Sequence, residues 1–257
     1  MYQEERLIAI MQYLKEHHRI SVQEICDLFQ VSRDTARRDL VKLSEQNAII
    51  RTRGGAVLPV VHKEIESYKK RLDLKSEVKS RIGKEAARRI KQGEFVLMDT
   101  STTVQHAAQF LQAEDVVVVT NSIDIADILS NKERVSIHLL GGIFHAHSRY
   151  LYGAGTVKKL QEYHVDKCLM GGGGIAEDGI YFPSEEDGQV AQQMIAQAEQ
   201  VIVLADQTKF NKKLFFKVCG LDQIDLLITD DVPDEWRERL AEAEVEVVRV
   251  NAAHGAK

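Results

Sequence analysis

Residues 31–57 read VSRDTARRDLVKLSEQNAIIRTRGGAV, and this stretch decides the architecture of the N-terminal part. Ser32 suits a helix N-cap, because its hydroxyl can accept an orphan amide of the first turn. Ala36, Leu40 and Leu43 then recur at three- to four-residue spacing, which predicts a helix over 33–46 with one apolar stripe. Asn47 suits the left-handed residue that follows a helix end. Next come IIRTR, Gly54-Gly55 and AVL, two short apolar runs about a double glycine, which read as a hairpin.

Upstream, Leu7, Ile10, Met11 and Leu14 predict an amphipathic helix over 4–18. Ile20 and Val22 flank Ser21 in a short extended piece. Ile25, Leu28 and Phe29 mark a second helix of about two turns, and Val31-Ser32 makes a tight break before the third. Helix, helix, tight turn, helix, hairpin is the order of a winged helix-turn-helix, whose third helix enters the DNA major groove by its N-terminal residues. On that reading Ser32 and Thr35 bond phosphates or base edges. Arg33 and Arg37 share the face away from the apolar stripe, Arg38 flanks them, and Arg37 can chelate a guanine. Arg51 and Arg53 arm the wing. The competing reading is a solvated helix whose arginines are balanced by Asp34 and Asp39.

Charge supports the first reading. Residues 1–92 hold 20 basic and 13 acidic side chains, a balance of +7, whereas residues 93–257 carry −12. A basic front on an acidic body fits a polyanionic partner at one end and excludes a general nucleoid-type DNA binder. No apolar run reaches the ~18 residues of a membrane span, and acids occupy the start where a signal peptide needs bases. Cys26, Cys168 and Cys219 are isolated, as expected of packing residues in a reducing cytoplasm. His145 and His147 read as solvated histidines. No metal and no cofactor are expected.

Residues 59–76 are polar and carry Pro59, and read as a linker between a domain over 1–58 and one over 77–257. Val78, Ile82, Ala86 and Ile90 predict a helix over 77–91. From there, apolar runs at 94–99, 116–120, 135–140, 166–171, 201–206, 225–230 and 245–250 alternate with helical patterns at 103–112, 123–131, 155–163, 187–199 and 234–242. This alternation predicts an α/β domain, Rossmann-like, with a mostly parallel sheet covered on both faces. Ligands bind such sheets at the C-terminal strand ends. Those ends carry Asp99, Ser101, Thr102 and Thr103; Thr120, Asn121 and Ser122; Gly141 and Gly142; Gly171 to Gly174; and Asp206 through Phe210. Hydroxyls and free amides at helix starts form an anion site. Lys209 can neutralise a phosphate, and Asp99 or Asp206 can bind sugar hydroxyls. No GxxxxGK[ST] occurs, and no clear GxGxxG follows the domain's first strand, which argues against those nucleotide folds.

The stretch 31–57 resembles the DNA-binding signature of the DeoR family, VS-x-x-T-hydrophobic-RRDL followed by R-T-H-G-G-A. Here Ala36 replaces a branched residue, Asn47 a glycine and Arg53 a histidine. The second half is similar to that family's sensor domain, itself similar to ribose-5-phosphate isomerase. Its pattern of Lys-x-x-Ile, D-x-G-T-T, T-N-S, Gly-Gly and D-x-S-K-F is matched in order. Lys79 and Ile82 lead; Asp99, Thr102 and Thr103 follow, then Thr120, Asn121 and Ser122, Gly141 and Gly142, and Asp206, Thr208, Lys209 and Phe210. Ser101 stands where that pattern has glycine. On the helix after the fourth main strand, Glu186 and Val190 are followed by Ala191 and Gln192 instead of a Lys-Arg pair.

The resemblance implies a repressor of a carbohydrate-utilisation operon that binds a double-stranded DNA operator as a homo-oligomer, dimer or tetramer. It implies a small sugar or sugar phosphate as effector, and no membrane partner. The effector residues it implies are Lys79, Asp99, Ser101, Thr102, Thr103, Thr120, Asn121, Ser122, Gly141, Gly142, Glu186, Asp206 and Lys209. The missing Lys-Arg pair implies an effector that differs from the usual phosphosugar or carries less charge. The alternative is a sugar-phosphate isomerase fused to a DNA-binding head, with Glu186 as its base. Loss of a lysine at 191 argues against it.

Overall fold

A computed structural model describes residues 3–17, 19–45, 49–52, 54–57, 74 and 76–250. The chain divides into two compact units, residues 1–64 and 65–257. The expectations for Asn47 and Arg53, and nearly all of those for the linker, lie outside the described residues.

In the first unit, helices α1 (Gln3–His17), α2 (Val22–Phe29) and α3 (Arg33–Glu45) pack against strands β1 (Arg19–Ser21), β2 (Ile50–Thr52) and β3 (Gly55–Val57). The apolar stripes meet as their spacing predicts. Ile10 and Leu14 of α1, Ile25 of α2, and Ala36, Leu40 and Leu43 of α3 are buried together with Ile20, Ile49 and Ala56. Val22 begins α2 rather than extending the strand, because Ser21 and Glu24 form a reciprocal capping box there. β3 pairs antiparallel with both β1 and β2. The two glycines of the hairpin do different work. Gly54 turns at φ +98° and accepts the Val22 amide at 2.8 Å. At Gly55 a Cβ would lie 2.2 Å from the Ile20 carbonyl oxygen, so only glycine lets β3 approach β1.

Asp39 does not balance the exposed arginines of α3. It is fully buried. Its Oδ2 accepts Arg6 Nε at 2.6 Å, and its Oδ1 accepts Arg6 Nη2 at 3.2 Å and Gln3 Nε2 at 3.0 Å. It ties α3 to α1.

In the second unit, every apolar run becomes a strand of one seven-stranded parallel sheet. The strands are β4 (Phe95–Met98), β5 (Val116–Thr120), β6 (Val135–Leu139), β9 (Val165–Gly171), β12 (Ala198–Leu204), β14 (Leu226–Thr229) and β15 (Glu246–Arg249), in spatial order β15-β14-β12-β9-β4-β5-β6. Their pleat splits the core in two. Val96, Met98, Val118, Leu169, Ile202 and Ile228 pack under α4 (Ser76–Arg88), α5 (Thr102–Phe110) and α6 (Ile123–Ser130). Leu97, Val119, Cys168, Met170, Val203 and Leu227 pack on the opposite face. There they meet α7 (Ala154–Leu160), α8 (Glu185–Ala196) and α9 (Asp234–Glu242).

Two antiparallel additions were not legible. β7 (Ile143–His145) and β8 (Tyr150–Tyr152) form a hairpin. β10 (Gly174–Ala176), β11 (Gly179–Phe182) and β13 (Phe216–Cys219) form a small sheet. Both fall where the sequence is short-patterned and glycine-rich. No helix of the described residues is long and apolar enough to cross a membrane.

Candidate functional site

In the first unit, α3 is capped as its sequence predicts. Ser32 Oγ accepts the Thr35 amide at 3.2 Å and lies 2.9 Å from Thr35 Oγ1. Arg33, Arg37 and Arg51 line one open groove with Ser21, Gln23 and Thr52, between the start of α3 and the hairpin. Arg33 donates to Gln23 Oε1 at 2.8 Å, which fixes it against α2. Arg38 lies on the neighbouring flank with Asp34 and Lys42. The three helix arginines and Arg51 are exposed. Three guanidinium groups around one groove, with helix and wing as its walls, suit a polyanionic backbone.

In the second unit, the strand order reverses at β4. The chain runs from β4 outward to β5 and β6, then returns to place β9 on β4's other side. The crevice between the C-terminal ends of β4 and β9 is therefore the topological switch point, where open α/β sheets bind ligands. Asp99 bridges it. One carboxylate oxygen accepts the Ser101 amide at 2.8 Å, and the other accepts the Gly171 amide of β9 at 2.8 Å. The geometry thus gives Asp99 a loop-holding task in the framework. Ser101 caps α5 by accepting the Val104 amide at 3.1 Å. It packs so tightly on the strand end that a Cβ at Gly171 would come within 2.4 Å of its own. Thr102 and Thr103 are buried in the first turn of α5.

The β5 end is held in the same manner. Thr120 Oγ1 donates to the Met98 carbonyl at 2.8 Å and accepts the Ser122 amide at 3.0 Å. Ser122 caps α6. Asn121 Nδ2 donates to the Leu151 carbonyl at 2.8 Å, while its buried Oδ1 has no hydrogen-bond partner among the described residues. At the β12 end, Asp206 accepts from the Thr208 amide at 3.0 Å and from the Thr208 hydroxyl, and caps the short turn that carries Lys209. Gly172, next after β9, donates to the Leu204 carbonyl at 3.2 Å, which joins the β9 and β12 ends.

The remaining residues named from the sequence lie on neighbouring loops and helices. Thr156 Oγ1 donates to the Gly141 carbonyl at 2.7 Å, and Gly142 faces Thr156 and Tyr152 closely enough to exclude a Cβ. Lys79 is buried on α4. Half-buried His106 on α5 sits below the ordinary histidine value through burial, opposed by its hydrogen bond to Gln109 and helped by the Lys79 charge. Glu186 is exposed on the first turn of α8. Ala191 is buried in the core, and Gln192 donates to the Lys217 carbonyl at 3.1 Å. His145 stacks on Tyr150, 5.0 Å between rings.

Sequence reasoning missed Tyr150. Strand β8 lies along the T-N-S loop, bridging at Ser122. The Tyr150 phenol is kept protonated by burial and by the Asp187 charge, opposed by a hydrogen bond with Ser184 at the start of α8. The alternating Tyr150-Leu151-Tyr152 was its only signal.

A winged helix-turn-helix head joined to a parallel α/β domain with a polar crevice at its switch point defines a ligand-responsive DNA-binding regulator. Residues 6–60 match the DeoR-like helix-turn-helix domain, and residues 74–231 match the DeoR C-terminal sensor domain. The chain belongs to the DeoR family, and is a DNA-binding transcriptional repressor rather than an enzyme. It is 56% identical over 235 residues to the HTH-type transcriptional repressor GlcR of Bacillus subtilis (strain 168), covering 91% of each chain. It is 28% identical to the glycerol-3-phosphate regulon repressor of Escherichia coli (strain K12), over 91% of this chain and 93% of that one. Ribose 5 phosphate isomerase A from Neisseria gonorrhoeae aligns at 13% identity and a TM-score of 0.39, over 54% of this chain and 55% of that chain.

Proposed function

We propose that this protein represses a carbohydrate-utilisation operon in the cytoplasm, and that a small phosphorylated sugar at the C-terminal edge of its parallel sheet sets its grip on DNA. The carrying observation is the C-terminal edge of the sheet, where the α5 start follows β4 at the Asp99 bridge and the α6 start, with Asn121, follows the neighbouring β5. A buried carbonyl without a donor costs about 1–3 kcal/mol, and a sugar hydroxyl donating to Asn121 would offset that. The α5 start offers amides and hydroxyls to a phosphate, and Lys209 offers its charge. The phosphate itself is supported by the relative named for a glycerol-3-phosphate regulon. In the head, Ser32, Arg33, Thr35, Arg37, Arg38, Arg51 and Arg53 would contact the operator. One recognition helix per chain calls for an oligomer, dimer or tetramer, that engages repeated half-sites.

The test is thermal melting of the full chain with free and phosphorylated sugars, followed by operator titration with any sugar that binds. At 100 times its Kd a ligand stabilises the sensor by about 2.7 kcal/mol. Lys209→Ala should weaken the phosphorylated sugar far more than its free counterpart and leave effector-free operator binding unchanged. Equal affinities in wild type and variant would place the phosphate elsewhere. A sugar that binds without altering operator affinity would sink the regulatory reading.

A further inference from the structure

We infer that the outer edge of β6 is a two-fold interface at which a second copy of this chain pairs antiparallel, β6 against β6, to make one continuous sheet. The inference deepens the proposed pairing of DNA-binding heads by naming the surface that brings two chains together.

The sheet has two edges, β6 and β15. An exposed strand edge is a template for another chain, and proteins defend it with charges, proline or bulges. β15 is defended: its sequence is EVVR, charged at both ends. β6 reads VSIHL, with no charge and no proline, and its outer edge pairs with no described strand. Its last residue, Leu139, is 45% exposed, and Ile143 at 61% and Phe144 at 48% follow on β7.

The backbone fixes the register. Leu140 donates its amide inward to the Thr120 carbonyl at 2.8 Å. Alternation along a parallel strand then turns the groups of Ser136 and His138 inward and those of Val135, Ile137 and Leu139 outward. An antiparallel pairing centred on Ile137 sets Val135 opposite the partner's Leu139 and Ile137 opposite the partner's Ile137. Every outward N–H then meets an outward C=O. Side chains agree with this register. The face carrying Val135, Ile137 and Leu139 becomes an apolar cross-strand set, and on the other face Ser136 stands opposite the partner's His138. The strand's pattern, apolar-polar-apolar-polar-apolar, is symmetric about its centre, so the occupant that fits it best is itself. An isologous two-fold contact needs that self-complementarity.

Light scattering on the full chain at micromolar concentration, without DNA or sugar, tests the inference. Wild type should have the mass of at least two chains. Leu139→Pro removes an outward N–H and no bond of the chain's own sheet, so it should stay folded and its mass should halve. A second experiment covers the case in which that variant misfolds. Ser136 and the partner's His138 form a non-hydrogen-bonded pair, with Cα atoms about 4.5 Å apart, within disulfide range. The double variant Ser136→Cys, His138→Cys should run as a covalent dimer on a non-reducing gel, and neither single variant should. A monomeric wild type, an unchanged mass for folded Leu139→Pro, or a double variant that fails to cross-link would each overturn the inference. Sugar-induced melting shifts should persist in Leu139→Pro; their absence in wild type would count against the effector reading and leave the mass result untouched.

Discussion

Replacing Asp39 separates two opposed accounts of the RRDL stretch. If Asp39 were a solvated acid balancing neighbouring arginines, Asp39→Ala would add one positive charge to the DNA-binding face and tighten binding. The structure predicts the reverse. Asp39 is wholly buried, Arg6 is only 6% exposed, and three donors converge on the carboxylate. Deleting it takes the carboxylate away from a buried guanidinium, and breaking a buried pair in this way costs about 3–5 kcal/mol. A unit the size of residues 1–64 has a total stability of about 3–10 kcal/mol, so the loss is a large share of it. At about 4–8 °C per kcal/mol, the head's melting transition should fall by at least ~12 °C. Scanning calorimetry of the full chain should show that fall with the sensor transition unmoved, and operator titration should show lost binding. The double variant Arg6→Met, Asp39→Leu removes both charges and should recover most of the loss, since apolar replacement of a buried pair is often neutral. A head that melts within about 2 °C of wild type in Asp39→Ala, with operator binding undiminished, would refute the reasoning.

Three further outcomes follow from particular residues. Arg37→Ala should cost about 1–3 kcal/mol of operator affinity and relax preference at one base. Arg51→Ala should instead weaken all sequences alike and lower the salt slope by about one phosphate contact; binding curves at several salt concentrations distinguish the two. Burial holds the folded His106 below its ordinary value of 6.5. The unfolded chain therefore takes up the proton first as pH falls, so the stability present above about pH 6.5 is lost below it. His106→Gln should flatten that part of a stability-pH curve measured by denaturant titration, and an unchanged slope would refute the assignment. Gly55→Ala places a Cβ 2.2 Å from the Ile20 carbonyl, so the hairpin should separate from β1 and operator binding should fall; wild-type affinity in that variant would contradict the packing.

The local elements were written in the sequence. Period-3.6 stripes gave α1 and α3 to within a residue or so at each end, and seven apolar runs gave the seven strands of the parallel sheet. Both are set by residues a few positions apart, whose side chains must reach one face together. The loops expected at the sheet's C-terminal edge were legible too, since polar residues after buried runs mark where strands stop.

What only the tertiary structure decided depends on segments distant in the chain. Strand order is one case: β4 pairs with β9 across some 70 residues, and that pairing creates the crevice which Asp99 spans. The small β10–β11–β13 sheet is another, because Gly174–Ala176 and Gly179–Phe182 lack a pattern of their own and are extended by their partners. Burial of polar groups is the third. Asp39 looks like any helix acid until α1 brings Arg6 against it, and Asn121 looks like a turn residue until β8 closes over its amide. A sequence records each residue's own preferences, whereas the cost of burying a charge or an unpaired carbonyl is set by what packs beside it. That neighbour is chosen by the fold.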